Sequence, residues 1–141
     1  AGDLEFMKGV ERGEMKIMDR KLMEPINTYR WFTGGYAKEH KSLLKELFDQ
    51  VYSTNEEVAL KITRNAIYDY DVEDKLEQIA VPTLIVTGDR DIAVPPRYSE
   101  LMHAKIRNSE LLQVPNAGHM IQFEASEPLN KALSDFLKRL Q

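Results

Sequence analysis

The sequence contains no cysteine, which excludes a disulfide framework, a thiolate nucleophile and any cysteine-ligated zinc or iron–sulfur centre. The same lack suits a reducing compartment, so the expected location is the cytoplasm. No apolar run approaches the roughly 20 residues that cross a bilayer as a helix, and no charged-then-apolar leader begins at Ala1, so no membrane is expected among the partners. An excess of basic residues is lacking too. Nineteen Lys and Arg stand against 23 Asp and Glu, a net charge of −4, and this argues against nucleic acid, whose phosphates need clustered basic side chains. Internal repeats and low-complexity segments are absent. What remains is 141 residues at 43% hydrophobic, enough for one globular domain that buries roughly 70% of its unfolded surface.

The acidic stretch Asp69-Tyr-Asp-Val-Glu-Asp74 separates two kinds of sequence, residues 1–74 and 75–141. The first part holds the sole Trp and most of the aromatics, and reads as helical with no convincing strand. Leu43, Leu44, Leu47, Phe48 and Val51 recur at helical spacing as one buried stripe. A further helix is expected after Ser53 or Thr54, with Glu56 and Glu57 at capping-box distance and Val58, Leu60, Ile62, Ala66 and Ile67 as its apolar face. Nearer the start, Phe6, Met7, Val10, Ile17, Met18, Leu22 and Met23 suggest one or two helices interrupted by Gly9, Gly13 and Pro25, and Gly34-Gly35 reads as a turn.

The second part changes texture. Pro82-Thr-Leu-Ile-Val-Thr87 is a short apolar run that does not alternate, as suits a strand buried on both faces of a parallel sheet. Pro95-Pro96 opens a predicted helix with Tyr98, Leu101, Met102 and Ile106 on one face. Glu110–Val114 is a second strand, stopped by Pro115, and a last helix begins at Glu127-Pro128 with Leu129, Ala132, Leu133, Phe136, Leu137 and Leu140 as its stripe. Strand, helix, strand, helix implies an α/β fold built on a right-handed βαβ unit with parallel strands. Such a sheet puts its chemistry at the carboxyl ends of the strands, here Gly88-Asp-Arg-Asp91 and Asn116-Ala-Gly-His119.

Asp91 and His119 therefore stand out. Neighbouring strands bring neighbouring loops, so the carboxylate can reach the imidazole, fix its tautomer and support the imidazolium that forms when the ring takes a proton. Read singly, each is more often an ordinary polar loop residue; it is the pairing and the strand-end positions that favour a functional role.

Three stretches, Val81–Pro95, Val114-Pro-Asn-Ala-Gly-His-Met120 and Glu124-Ala-Ser-Glu-Pro128, together resemble the C-terminal part of the α/β-hydrolase superfamily. In that family the catalytic acid follows the seventh strand in a Gly-x-x-Asp turn, which Gly88–Asp91 matches. The catalytic His follows the eighth strand behind a Gly, which Gly118-His119 matches. The resemblance covers about Leu76 to Leu140. It implies that residues 75–141 form the C-terminal part of the hydrolase core, with the acid and His loops. More loosely, residues 1–74 resemble the helical cap or lid that many members insert before the seventh strand. The family's nucleophile lies in a Gly-x-Ser-x-Gly elbow, and none of Ser42, Ser53, Ser99, Ser109, Ser126 and Ser134 has those flanks. The strand-rich half that carries the elbow is not in this sequence.

Other candidates carry less. Asp89-x-Asp91 after an apolar strand could suggest a magnesium phosphatase, but that leaves Gly118-His119 without a role. His40 and His103 have no metal-ligand spacing and read as solvated surface. Gly34-Gly35 lacks the strand and the Lys-Ser/Thr of a phosphate cradle. Tyr29, Trp31, Phe32 and Tyr36 could line an apolar substrate pocket or pack the cap, and Ile92, Val94, Met120 and Ile121 are either pocket wall or core. The resemblance thus implies a serine hydrolase acting on an ester-like or related carbonyl substrate. Asp91 and His119 would be two members of its triad, the Ser would lie outside this chain, and no cofactor or metal is called for. The chain alone is then expected to be inactive and to associate with an N-terminal half or with itself. The alternative is a non-catalytic assembly or binding module derived from that fold.

Overall fold

The computed structural model describes Gly9, Arg12 and residues 19–53 and 71–140. The expected helices over Phe6, Met7, Val10, Ile17 and Met18, and over Val58 to Ile67, lie outside the described residues. The chain divides into two compact units, residues 1–27 with 41–70, and residues 28–40 with 71–141.

In the first unit the Asp19 side chain accepts the Leu22 N–H (3.3 Å) and so caps the start of α1, Arg20–Trp31, which continues into the second unit. Pro25 does not interrupt this helix, contrary to the sequence expectation. Its missing N–H removes one bond, the one to the carbonyl of exposed Lys21, and leaves the rest of the ladder standing. Arg20 pairs with Glu24 on the same helix (2.6 Å) and with Asp49 on α3, Lys41–Val51. Leu44 and Phe48 are the buried members of the α3 stripe, packed in a unit whose core also takes Met23. Leu43, expected on that stripe, is exposed.

The second unit is built on a parallel pair, β1 (Thr83–Gly88) and β2 (Ser109–Val114), in the register Thr83↔Ser109 through Gly88↔Val114. β1 starts one residue later than its apolar run because Pro82 has no N–H; the first donor is Thr83, to the Asn108 carbonyl (2.9 Å). Side chains alternate across the pair. Ile85 and Leu111 pack with Leu76, Ile79 and Ile106, whereas Val86 and Leu112 pack with Val114, Ala117, Ile121, Ala125 and Leu129. The first cluster takes Leu76 from the 3-10 helix Glu73–Gln78 and Ile106 from just beyond α4, Arg97–Lys105; the second involves α5, Ile121–Glu124, and α6, Ser126–Lys138. Of the face expected on α4, only Ile106, just past its end, is buried, while Tyr98, Leu101 and Met102 are exposed. On α6, Leu129, Ala132 and Phe136 are half-buried and Leu133 and Leu137 are exposed, as is Leu140 just past its end. Also in the second unit, α2 (Gly34–Glu39) is a short helix, so Gly34-Gly35 opens a helix and does not make the expected turn. Among the described residues no helix is long and apolar enough to cross a membrane.

Candidate active site

The loop after β1 prolongs the parallel pairing beyond the strands. The Asp89 N–H donates to the Val114 carbonyl (3.0 Å) and the Arg90 N–H to that of Ala117 (3.0 Å). This close approach is open only to glycine at position 88, whose α-carbon faces the Ala117 and Gly118 carbonyls. Asp91 then turns inward and is 7% exposed. Its Oδ1 accepts the N–H groups of Ala93 (2.9 Å) and Val94 (2.8 Å), which locks the carboxylate onto its own loop. Its Oδ2 faces His119 Nδ1 at 2.9 Å.

On the other strand Pro115 ends the ladder, and Asn116 at φ 59° swings the chain across the top of the sheet, in the left-handed region that Asn tolerates better than most residues. Ala117 and Gly118 are buried, and His119 follows with about a third of its side chain exposed. The Met120 N–H donates to the Trp31 carbonyl (3.0 Å) as α5 begins. A carboxylate fixed by two backbone donors thus holds Nδ1–H of the imidazole and leaves Nε2 as the nitrogen for proton exchange.

A family model described as TAP-like protein, an α/β-hydrolase family, matches residues 50–141, about two thirds of the sequence. The chain belongs to the α/β-hydrolase superfamily. It is similar to a proline iminopeptidase of Thermoplasma volcanium, 36% identical over 73 residues that cover 52% of this chain and 24% of that protein. It is also similar to a 2-hydroxy-6-oxononadienedioate/2-hydroxy-6-oxononatrienedioate hydrolase of Pseudomonas putida, 30% identical over 132 residues, 88% of this chain and 46% of the relative. Among solved structures, the enol-lactonase from Burkholderia xenovorans LB400 superposes with a TM-score of 0.80 at 21% identity, covering 96% of this chain and 49% of that one. The chain spans less than half the length of the curated relatives it matches. Its architecture is the C-terminal part of the α/β-hydrolase fold, a parallel strand pair with its helices.

Within this α/β-hydrolase chain the two residues picked out at the strand ends come together, and the aromatic and apolar candidates separate. Phe32 is core, 4% exposed, stacked on Tyr36 (5.7 Å between centroids) and edge-on to Phe123 (6.1 Å). Trp31 meets the His loop through its carbonyl. Ile92 and Val94, beside Asp91, are exposed, Met120 is half-buried and Ile121 belongs to the core. Tyr29 is 75% exposed. His40 departs from the expected solvated position: it is half-buried and stacks on Tyr36 at 3.9 Å, its Nδ1 3.0 Å from the Tyr36 carbonyl. His103 is exposed, with Nδ1 2.9 Å from Ser109 Oγ. Asp89 is exposed, and both oxygens of Asp91 are committed to its loop and to His119. No group of three metal-ligating side chains occurs among the described residues.

Sequence reasoning missed Glu124. Its two oxygens accept the Thr33 N–H (3.0 Å) and the Thr33 hydroxyl (2.6 Å). Burial, and then the Glu124 charge, raise the Tyr36 phenol above the ordinary tyrosine pKa. A Glu shortly before Ser126-Glu-Pro128 was visible as part of the family pattern, but its partner, 91 residues away, was not.

Proposed function

We propose that the chain supplies the acid and the histidine of a serine hydrolase acting on an ester-like or related carbonyl substrate. The observation that carries this reading is the 2.9 Å contact between Asp91 Oδ2 and His119 Nδ1, with Oδ1 held by two backbone N–H groups. In this reading Asp91 keeps the imidazole in the tautomer with Nδ1–H, so Nε2 is the free base. His119 takes the proton of a serine hydroxyl as the serine attacks the carbonyl carbon. It then returns that proton to the leaving group as the tetrahedral adduct collapses, and repeats the cycle with water to release the acid product. The serine lies on sequence outside these residues, since no serine here has the flanks of a nucleophile elbow. Residues 1–74 serve as the cap, and the exposed Ile92 and Val94, with Trp31 and Met120, are the candidates that line a substrate pocket. Relatives named as a proline iminopeptidase, a 2-hydroxy-6-oxononadienedioate hydrolase and an enol-lactonase support hydrolysis of a carbonyl substrate, and within that class we propose an ester or lactone.

In the intact enzyme, Asp91→Ala and His119→Ala are each expected to lower kcat by roughly 10³–10⁴-fold while leaving the fold in place. Steady-state kinetics with a chromogenic ester is the measurement. Near-normal turnover in both variants overturns the assignment.

A further inference from the structure

The place of the His119 ring is set by the backbone on either side of it, and three contacts hold that backbone. The Ala117 carbonyl takes the Arg90 N–H, and the Trp31 carbonyl takes the Met120 N–H, each at 3.0 Å. Between them Gly118 lies so close to its surroundings that an ideal Cβ would stand 2.8 Å from Glu124 Oε1, 3.2 Å from the Trp31 oxygen and 3.3 Å from the Thr33 nitrogen. Two of these three contacts involve the short link between α1 and α2. What ties that link to the His loop is Glu124, on the helix that follows His119, through its paired bonds to the Thr33 N–H and hydroxyl. A carboxylate gripping two donors of one residue fixes orientation as well as distance.

We propose that Glu124 is a positioning residue for His119: by gripping Thr33 it presents the Trp31 carbonyl to Met120 and seats Gly118, and so sets the imidazole over Asp91. The catalytic consequence rests on the reading of His119 and Asp91 given above, but the geometric claim does not. Without the grip, the link is free to withdraw from Gly118, and the Nδ1–H···Oδ2 bond opens to water more often. A glutamine keeps the footprint: its carbonyl accepts the Thr33 N–H, and its amide donates to the Thr33 hydroxyl oxygen. Alanine keeps neither.

The test uses the full-length enzyme with 15N-labelled histidine, and reads exchange of the His119 Nδ1–H with solvent beside kcat and KM. The resonance is assigned by its loss in His119→Gln. In Glu124→Ala, exchange should quicken roughly tenfold, the factor that losing about one net hydrogen bond puts on an opening equilibrium. Turnover should fall roughly 10- to 100-fold with KM little changed, as misplacement of a reacting group does. Glu124→Gln should restore most of both. Unchanged exchange in Glu124→Ala, or a glutamine variant as impaired as the alanine one, overturns the proposal. If Glu124→Ala fails to fold, Thr33→Val, which keeps the N–H and loses the hydroxyl, decides: faster exchange supports the proposal and unchanged exchange overturns it. Full turnover in Asp91→Ala and His119→Ala would sink the triad reading alone, since the exchange measurement does not depend on it.

Discussion

An ideal Cβ at Gly88 would stand 2.2 Å from the Ala117 carbonyl oxygen and 2.4 Å from that of Gly118, and neither is the movable end of a side chain. Gly88→Ala must therefore push the His loop away from the Asp loop, at the one place where both leave the sheet. We expect it to destabilise the chain by about 1–3 kcal/mol, the usual cost of an overpacked interior, seen as a lower midpoint in denaturant. Gly88 was legible as the exit of a strand, and Asp91 and His119 as strand-end residues, because parallel neighbours carry their loops side by side and few residues intervene. The Thr33–Glu124 grip was not legible. A side-chain pair 91 residues apart leaves no periodicity and no local motif, and it depends on how α1 ends and α2 starts.

At the scale of elements, β1, β2, α3, α4 and α6 could be read because period and punctuation agree there, while two breakers were misjudged. Pro25 costs α1 a single hydrogen bond, and the rest of the helix outweighs it. Gly34 and Gly35 open α2 because Thr33, extended at φ −66° and ψ 148°, has already turned the chain, with its N–H and hydroxyl taken by Glu124. Turn composition gave the wrong answer there because the turn is made one residue earlier and stabilised from a distant helix. Neither glycine has a positive φ, and a Cβ on either would meet nothing within 4 Å. Gly35→Ala is thus expected to raise stability by about 0.4–1 kcal/mol, mainly by restricting the unfolded chain, with the site unchanged. Thermal unfolding of the variant checks it; a lower midpoint would mean that this position needs the glycine.

At the scale of the whole molecule, the sheet of the described residues has two strands, so each of them has an edge with no ladder partner among those residues. Relatives more than twice the length of the matched region have room for the rest of such a sheet. Exposed apolar side chains point the same way: Leu133, Leu137 and Leu140 at 41%, 56% and 49%, and Tyr98, Leu101 and Met102 on α4. Each large apolar side chain left in water forgoes roughly 1.5–3 kcal/mol of burial, so a handful rivals the 5–15 kcal/mol that holds an ordinary domain folded. Open strand edges beside such a surface invite another strand. The chain on its own is therefore expected to associate, either with an N-terminal half of the hydrolase that covers these faces or with copies of itself by strand exchange. Size-exclusion chromatography with light scattering on the isolated chain should give a mass well above 16.3 kDa, falling as Leu133→Lys and Leu137→Lys are introduced. A cooperative monomer of 16.3 kDa would mean that the described edges and the α6 face are stable in water as they stand.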